Sequence, residues 1–214
     1  VSTSEQLQVK NQQVNTEKAR FFDAQAQADW AAPDYTPKER AKIAEVFHSL
    51  PSLVGQTVLE PGCGTGRLTR ILADRVGPQG RVLAMDISPQ MVQMARAKVG
   101  GLSNVHLRCA SMESCALPCG EVDLVFCHQV FPHFDDQERA AEIISRCLRP
   151  CGRLVILHLI SSREINDLHR KAGTAVAQDM LPEPEQMHRI MNQVGLTVED
   201  ILDADDRYVL VAGK

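Results

Sequence analysis

Two carboxylates and three glycines stand at spacings suited to holding a small molecule. Glu60 precedes Gly62, Gly64 and Gly66, and Asp86 lies 20 residues beyond Gly66. Glycines at these positions permit positive φ and let a ligand rest directly on the backbone. An acid placed like Asp86 can accept from the two hydroxyls of a ribose. Further on, His128 and His133 carry imidazoles, the side chains that titrate nearest neutrality and so suit the work of a general base. The plainer alternatives are a tight strand-to-helix turn without a ligand and histidines that line a cleft or cap a helix.

The elements around these residues follow from periodicity. Thr57 to Leu59 is a short apolar run, read as a buried strand, and Leu68, Ile71 and Leu72 beyond the glycines have helical spacing. The glycine turn therefore joins a strand to a helix, whose N-terminus offers unpaired N–H groups and the positive end of a dipole. Arg81 to Asp86 forms the second strand. Ser88 as N-cap and Pro89 at the first helical position then open a helix with Met91, Val92, Met94 and Ala95 inward. Asn104 to Cys109 and Glu121 to Cys127 read as the third and fourth strands. Asp135 to Arg149 is a helix, and Arg153 to His158 the fifth strand. The segment from Ile160 to Pro182 opens with a capping box, Ser161 to Glu164, and carries Asn166 and His169. Glu185 to Val194 is helical, and Leu196 to Leu202 pairs with Arg207 to Val211 across the acidic turn Asp203 to Asp206, read as a solvated hairpin. Upstream, Thr36, Pro37 and Glu39 start a helix that Pro51 stops.

The glycine spacing separates two ligand classes. A dinucleotide site needs G-x-G-x-x-G, but Arg67 occupies the place of the third glycine. The stretch Leu59-Glu-Pro-Gly-Cys-Gly-Thr-Gly66 resembles instead the E/D-x-G-x-G-x-G motif of class I S-adenosylmethionine-dependent methyltransferases, and Met85-Asp-Ile-Ser-Pro-Gln-Met91 is similar to that family's second motif. The resemblance covers roughly residues 19–214. It implies an α/β fold: a three-layer Rossmann-like sandwich with a mostly parallel seven-stranded sheet, an antiparallel last strand and an N-terminal helical lid. Residues 1–18 then form a polar arm, to which no chemistry is assigned.

The same resemblance implies S-adenosylmethionine as cofactor, held by Glu60, Gly62, Cys63, Gly64, Gly66, Asp86, Ile87, Ser111, Met112 and Cys127. The family often places an acid at the adenine ring where this chain has Ser111. That contact falls to Ser111, Glu113 or backbone N–H groups. The family's Pro-Gly-Gly before strand five reads Pro150-Cys151-Gly152 here. Methyl transfer is an in-line displacement, so the protein must align the partners, exclude water and supply a base to a protonated nucleophile. His128 and His133 are the candidate bases, and Tyr35 and His169 the candidate acceptor contacts.

The acceptor is expected to be a small, partly apolar molecule lying between the Phe21-to-Tyr35 segment and the Ser161-to-Leu181 insertion. The first of these concentrates Phe21, Phe22, Trp30 and Tyr35, as either a cleft-closing lid or a helix docked on the core. No Asn/Asp-Pro-Pro-Tyr/Phe motif follows strand four, which tilts away from amino groups of nucleic acid or protein. The rival readings are a SAM-binding or ligand-sensing protein without turnover and, less favoured, an NAD-dependent oxidoreductase.

A net charge of −4 provides no basic stripe for nucleic acid or an anionic membrane. No apolar run is long enough to span a bilayer, and the polar N-terminus does not read as a signal peptide. Seven cysteines, an odd number, fit free thiols in a reducing cytoplasm. The pairs Cys115/Cys119 and Cys147/Cys151 lack the tight spacing of a zinc knuckle, so no metal site is assigned. His128, His158 and His169 could meet above the sheet against a substrate-bound metal. The chain is expected to act as a monomer or homodimer.

Overall fold

The computed structural model describes residues 16–28, 34–114, 117, 119–172 and 175–214; Trp30 and Cys115 lie outside them. Helix α1 runs over residues 16–25. Then come α2 (Pro37–Ser49), β1 (Thr57–Pro61), α3 (Arg67–Val76), β2 (Arg81–Asp86), α4 (Pro89–Val99) and β3 (Val105–Cys109). The second half has β4 (Val122–His128), a 3-10 turn (Phe131–His133), α5 (Gln137–Cys147), β5 (Leu148–His158), α6 (Ser162–Lys171), α7 (Pro184–Gln193), β6 (Thr197–Ala204) and β7 (Arg207–Gly213).

The strands form one seven-stranded sheet in the order β3-β2-β1-β4-β5-β7-β6. β1 to β5 are parallel, and β7 runs antiparallel to β5 and β6. The strand order reverses between β1 and β4, which opens a crevice at their carboxyl ends. Alternate residues face opposite sides of a strand, and this divides the core in two. Leu59, Val125, Cys127, Leu154 and Ile156 meet α5 and α7 on one face. Val58, Leu124, Phe126, Val155 and Leu157 meet α2, α3 and α4 on the other. The expected three-layer Rossmann-like sandwich is therefore present.

Several boundaries differ from expectation. β4 extends through His128, which pairs with Leu157, so His128 is the last strand residue rather than part of the following loop. β5 begins at Leu148 and is irregular where it meets β4 between Val122 and Leu124. Within it Cys151 has φ +65°, the left-handed region that a glycine would occupy at less cost. Ser161 caps α6 through the Glu164 N–H, without the return bond that would complete a capping box. The acidic hairpin is only partly solvated: the Asp206 carboxylate lies 3.4 Å from Lys42 Nζ, and Asp203 accepts from the Ser162 N–H.

Lys18, assigned by its sequence to the polar arm, is in α1 and only 4% exposed. The helix docks through Asp23, whose Oδ1 accepts from Ser88 Oγ at 2.5 Å and from the Gln90 N–H at 3.0 Å.

Candidate functional site

The carboxyl ends of β1 and β2 lie side by side, with Glu60 paired to Ala84 and Pro61 to Met85. The chain then turns through Gly62 (φ +66°) and Gly64 (φ +53°) into α3. The turn is held by Cys63 N–H donating to the Met85 carbonyl and Gly66 N–H donating to the Cys63 carbonyl. The glycines do different work. A Cβ on Gly62 would lie 2.3 Å from Val130 Cγ2, so its hydrogen lets the β4 loop close over the turn. A Cβ on Gly64 would project into open space. Gly66 serves packing, since a Cβ there would lie 3.1 Å from Cα of Ala95 in α4.

Asp86 ties the two strand ends together. Its Oδ2 accepts from Gly64 N–H and its Oδ1 from Ser88 N–H, each at 2.9 Å. Burial raises its carboxyl above the ordinary value, with the two N–H donors pulling the other way. Glu60 is 1% exposed, and its Oε2 is buried without a hydrogen-bond partner. Burial pushes its carboxyl up to about 8, and the nearby Asp86 adds to the rise.

Above these residues is a cavity of about 700 Å³, within the range of small-molecule sites. Glu60, Gly62, Cys63, Gly64, Asp86, Ile87 and Met112 line it, and so do Tyr35, His128, His133, His158 and His169. Phe21 and Phe22 of α1 and Ile165 and Leu168 of α6 contribute apolar walls.

Three residues expected at the cofactor do not line the cavity. Gly66 is enclosed between α3 and α4. Cys127 is fully buried in the core on the face of α5 and α7, because its side chain alternates away from the crevice. The Ser111 hydroxyl is engaged with Ser114 Oγ at 2.7 Å, while Met112 and Glu113 reach the cavity instead.

The histidines are distinct in their surroundings. His128 Nδ1 lies 3.2 Å from the Tyr35 hydroxyl, and its Nε2 is buried without a partner. Burial, with the Arg67 guanidinium adding to it, lowers His128 to about 3, so its ring is neutral at pH 7. Arg67 sits over the Tyr35 ring, 4.5 Å from its centroid. His158 is lowered by burial and then by the neighbouring histidines His128, His133 and His169, and its Nε2 is likewise buried without a partner. His133 Nδ1 lies 2.8 Å from Asp179 Oδ2, and its ring packs edge-on to Phe22.

The sequence reading missed Lys18 and Asp179, which join His133 in one buried cluster. No motif marks either residue. The only available signal was a charged residue next to an apolar segment. His128, His158 and His169 do line one cavity, yet among the described residues no group of three or more His, Cys, Asp or Glu is placed to hold a metal. Cys119 and Cys151 are exposed and Cys147 is buried. Among the described residues no helix is long and apolar enough to cross a membrane.

The residues fit a ligand that carries both cationic and hydroxyl groups. The orphaned Glu60 oxygen offers an acceptor, and the open side of Gly64 leaves backbone accessible to the cavity. S-adenosylmethionine has those groups.

A family model described as a methyltransferase domain matches residues 59–156. An uncharacterized 37.1 kDa protein of transposon TN4556 from Streptomyces fradiae is 32% identical over 121 residues, 56% of this chain and 35% of that protein. The ubiquinone/menaquinone biosynthesis C-methyltransferase UbiE of Enterobacter sp. (strain 638) is 34% identical over 62% of this chain and 53% of its own length. The UbiE of Hahella chejuensis is 30% identical over 66% of this chain and 67% of its own. The chain thus spans about a third and about half the length of the first two relatives. Among solved structures, a SAM dependent methyltransferase from Aquifex aeolicus superposes with a TM-score of 0.65 at 22% identity, covering 84% of this chain and 99% of that one. Phosphoethanolamine N-methyltransferase 2 of Haemonchus contortus gives 0.71 at 15% identity, covering 91% and 60%. At these identities the structures speak for the fold alone.

Proposed function

The chain belongs to the class I S-adenosylmethionine-dependent methyltransferases, and from that premise we propose that it methylates a small, partly apolar acceptor bearing an ionisable hydroxyl. One observation carries the reading. The glycine turn, Phe21, Phe22 and Tyr35 before α2, and His133 and His169 beyond β4 and β5 all line a single cavity of about 700 Å³. S-adenosylmethionine supplies a methyl group on a cationic sulfur, ready for in-line transfer to a nucleophile. Glu60 and the backbone of Gly62, Cys63 and Gly64 would hold its amino-acid part. Asp86 would accept from the ribose hydroxyls, with Ile87 and Met112 beside the base.

The acceptor's place is among Tyr35, His128, His133 and His169. His133 is the proton acceptor in this reading. His128 is too weak a base at neutral pH, and its unpartnered Nε2 serves to hydrogen-bond the acceptor. Phe21 and Phe22 exclude water from the reacting groups, the role expected of a lid. The relatives named as C-methyltransferases of ubiquinone/menaquinone biosynthesis support a quinone-related ring as the acceptor class.

The test is release of S-adenosylhomocysteine from purified protein supplied with S-adenosylmethionine and a panel of small hydroxylated aromatics, 1,4-dihydroxynaphthalene among them. Turnover on a ring acceptor, absent with tRNA or bulk protein, is the expected result. Tight S-adenosylmethionine binding with no product from any small molecule would favour a sensor without turnover.

A further inference from the structure

Asp179 is the centre of a buried polar cluster that spans three separate parts of the chain. Its Oδ2 lies 2.8 Å from His133 Nδ1, and its Oδ1 lies 2.9 Å from the Lys18 ammonium. Its main-chain carbonyl contacts His169 Nδ1. Lys18 also lies 2.9 Å from Asp135 Oδ1 and donates to the His133 carbonyl at 2.9 Å. The His133 and His169 rings are 4.6 Å apart between centroids, and both line the cavity. Lys18 and Asp179 are 4% and 8% exposed. Taking such charges out of water is costly until pairing offsets it, and an apolar contact would clasp α1 as well. A purely mechanical clasp therefore leaves the chemistry of the cluster unexplained.

The hydrogen-bond types decide where the protons sit. A carbonyl oxygen only accepts, so His169 carries its proton on Nδ1. The Asp179 carboxylate, paired with the Lys18 ammonium, also accepts, so His133 carries its proton on Nδ1 as well. A neutral ring held through Nδ1 in this way has its lone pair on Nε2.

We infer that Asp179, clamped by Lys18, is a positioning residue that locks His133 in the tautomer whose Nε2 takes the acceptor's proton. This rests on the reading of His133 as the base. In the step, the acceptor O–H bond breaks and its electron pair stays on oxygen. The proton passes to His133 Nε2, and the imidazolium so formed keeps its Nδ1–H on the Asp179 carboxylate. The positive charge thus develops beside a fixed negative one. Lys18 holds that carboxylate from its other oxygen and makes α1 part of the site.

The tautomer is readable without any acceptor. Protein carrying ¹⁵N in its imidazoles is examined by NMR, with the two rings assigned from His133→Gln and His169→Gln. His133 and His169 should both show a protonated Nδ1 and a bare Nε2. In Asp179→Asn the side-chain amide can turn and donate to Nδ1, so His133 should shift toward the Nε2–H form while His169 stays as it was. Asp179→Glu should return His133 toward its original tautomer. Lys18→Met, which keeps the carboxylate, reports the clamp separately should Asp179→Asn unfold; its His133 signal should broaden or average between forms.

With 1,4-dihydroxynaphthalene as probe, Asp179→Asn should lower kcat by roughly 10²-fold or more. Its KM for S-adenosylmethionine should be unchanged. A wild-type His133 found as the Nε2–H tautomer, or one indifferent to Asp179→Asn, overturns the proposal. Lack of turnover by every form, with the tautomers as stated, would count against the proposed reaction and not against the lock.

Discussion

Glu60 should lose a proton when the cofactor binds. Its carboxyl is held at about 8 by burial, so at pH 7 about 0.9 of the population is protonated in the free protein. Its Oε2 has no partner, and it lines the same cavity as the glycine turn. A cationic ligand placed there favours the carboxylate, which returns the group toward its ordinary range. The sign follows. Binding at pH 7 releases close to one proton, and affinity rises with pH until the free-protein value near 8 is passed. Between pH 6 and pH 8 the fraction of free protein already ionised changes by about fifty-fold, so Kd should tighten by about that factor, or about 2.3 kcal/mol.

Calorimetric titration with S-adenosylmethionine in buffers of differing ionisation enthalpy gives the proton count directly. Glu60→Gln should abolish both the proton release and the pH slope, leaving a weaker and flat affinity. If Kd is constant from pH 6 to 8, or if Glu60→Gln releases the same proton, Glu60 does not meet the cationic part of the cofactor.

The two turn glycines should separate stability from binding. Gly62→Ala collides with Val130 in a left-handed backbone and should cost roughly 2–4 kcal/mol in denaturant melts. Gly64→Ala meets nothing, so it should cost only about 1–2 kcal/mol while weakening S-adenosylmethionine binding in calorimetry, because its methyl stands in the cavity. Asp86→Ala should weaken the cofactor by roughly 1–3 kcal/mol and also destabilise the free protein, since Gly64 and Ser88 N–H both lose their acceptor. An unchanged affinity would remove Asp86 from the ribose. His128, lowered to about 3 when folded, disfavours folding as pH drops below the ordinary histidine value. The stability lost through His128 between pH 7 and pH 5 should be about 2 kcal/mol, and His128→Gln should lose that much less than wild type in paired melts.

The local chain was legible where one short stretch had to satisfy both backbone and ligand. A strand ending in Glu60, a turn that needs positive φ and a helix start leave few other residue choices. The near-continuous apolar runs of the central strands likewise fit a mostly parallel sheet covered on both faces. Legibility ended where a side chain's role depends on which way it points. Cys127 sits one residue before His128, yet alternation on β4 turns Cys127 into the core and His128 into the cavity. Ser111 stands where the family places an acid, but its hydroxyl is spent on Ser114, and its neighbours reach the cavity.

By itself, then, the sequence determined the cofactor turn, which depends on spacing within a few residues, and the resemblance carried by that turn implied the sheet and the class of chemistry. Tertiary structure alone brought Lys18, Asp179 and His133 together. Lys18 and Asp179 are 161 positions apart and come within 2.9 Å only when α1 and the segment before α7 pack around the β4 loop. Their meaning lies in that juxtaposition. The buried Asp179 carboxylate is shared between an ammonium and an imidazole, whereas a charge at either position, read alone, is only a solvated surface residue.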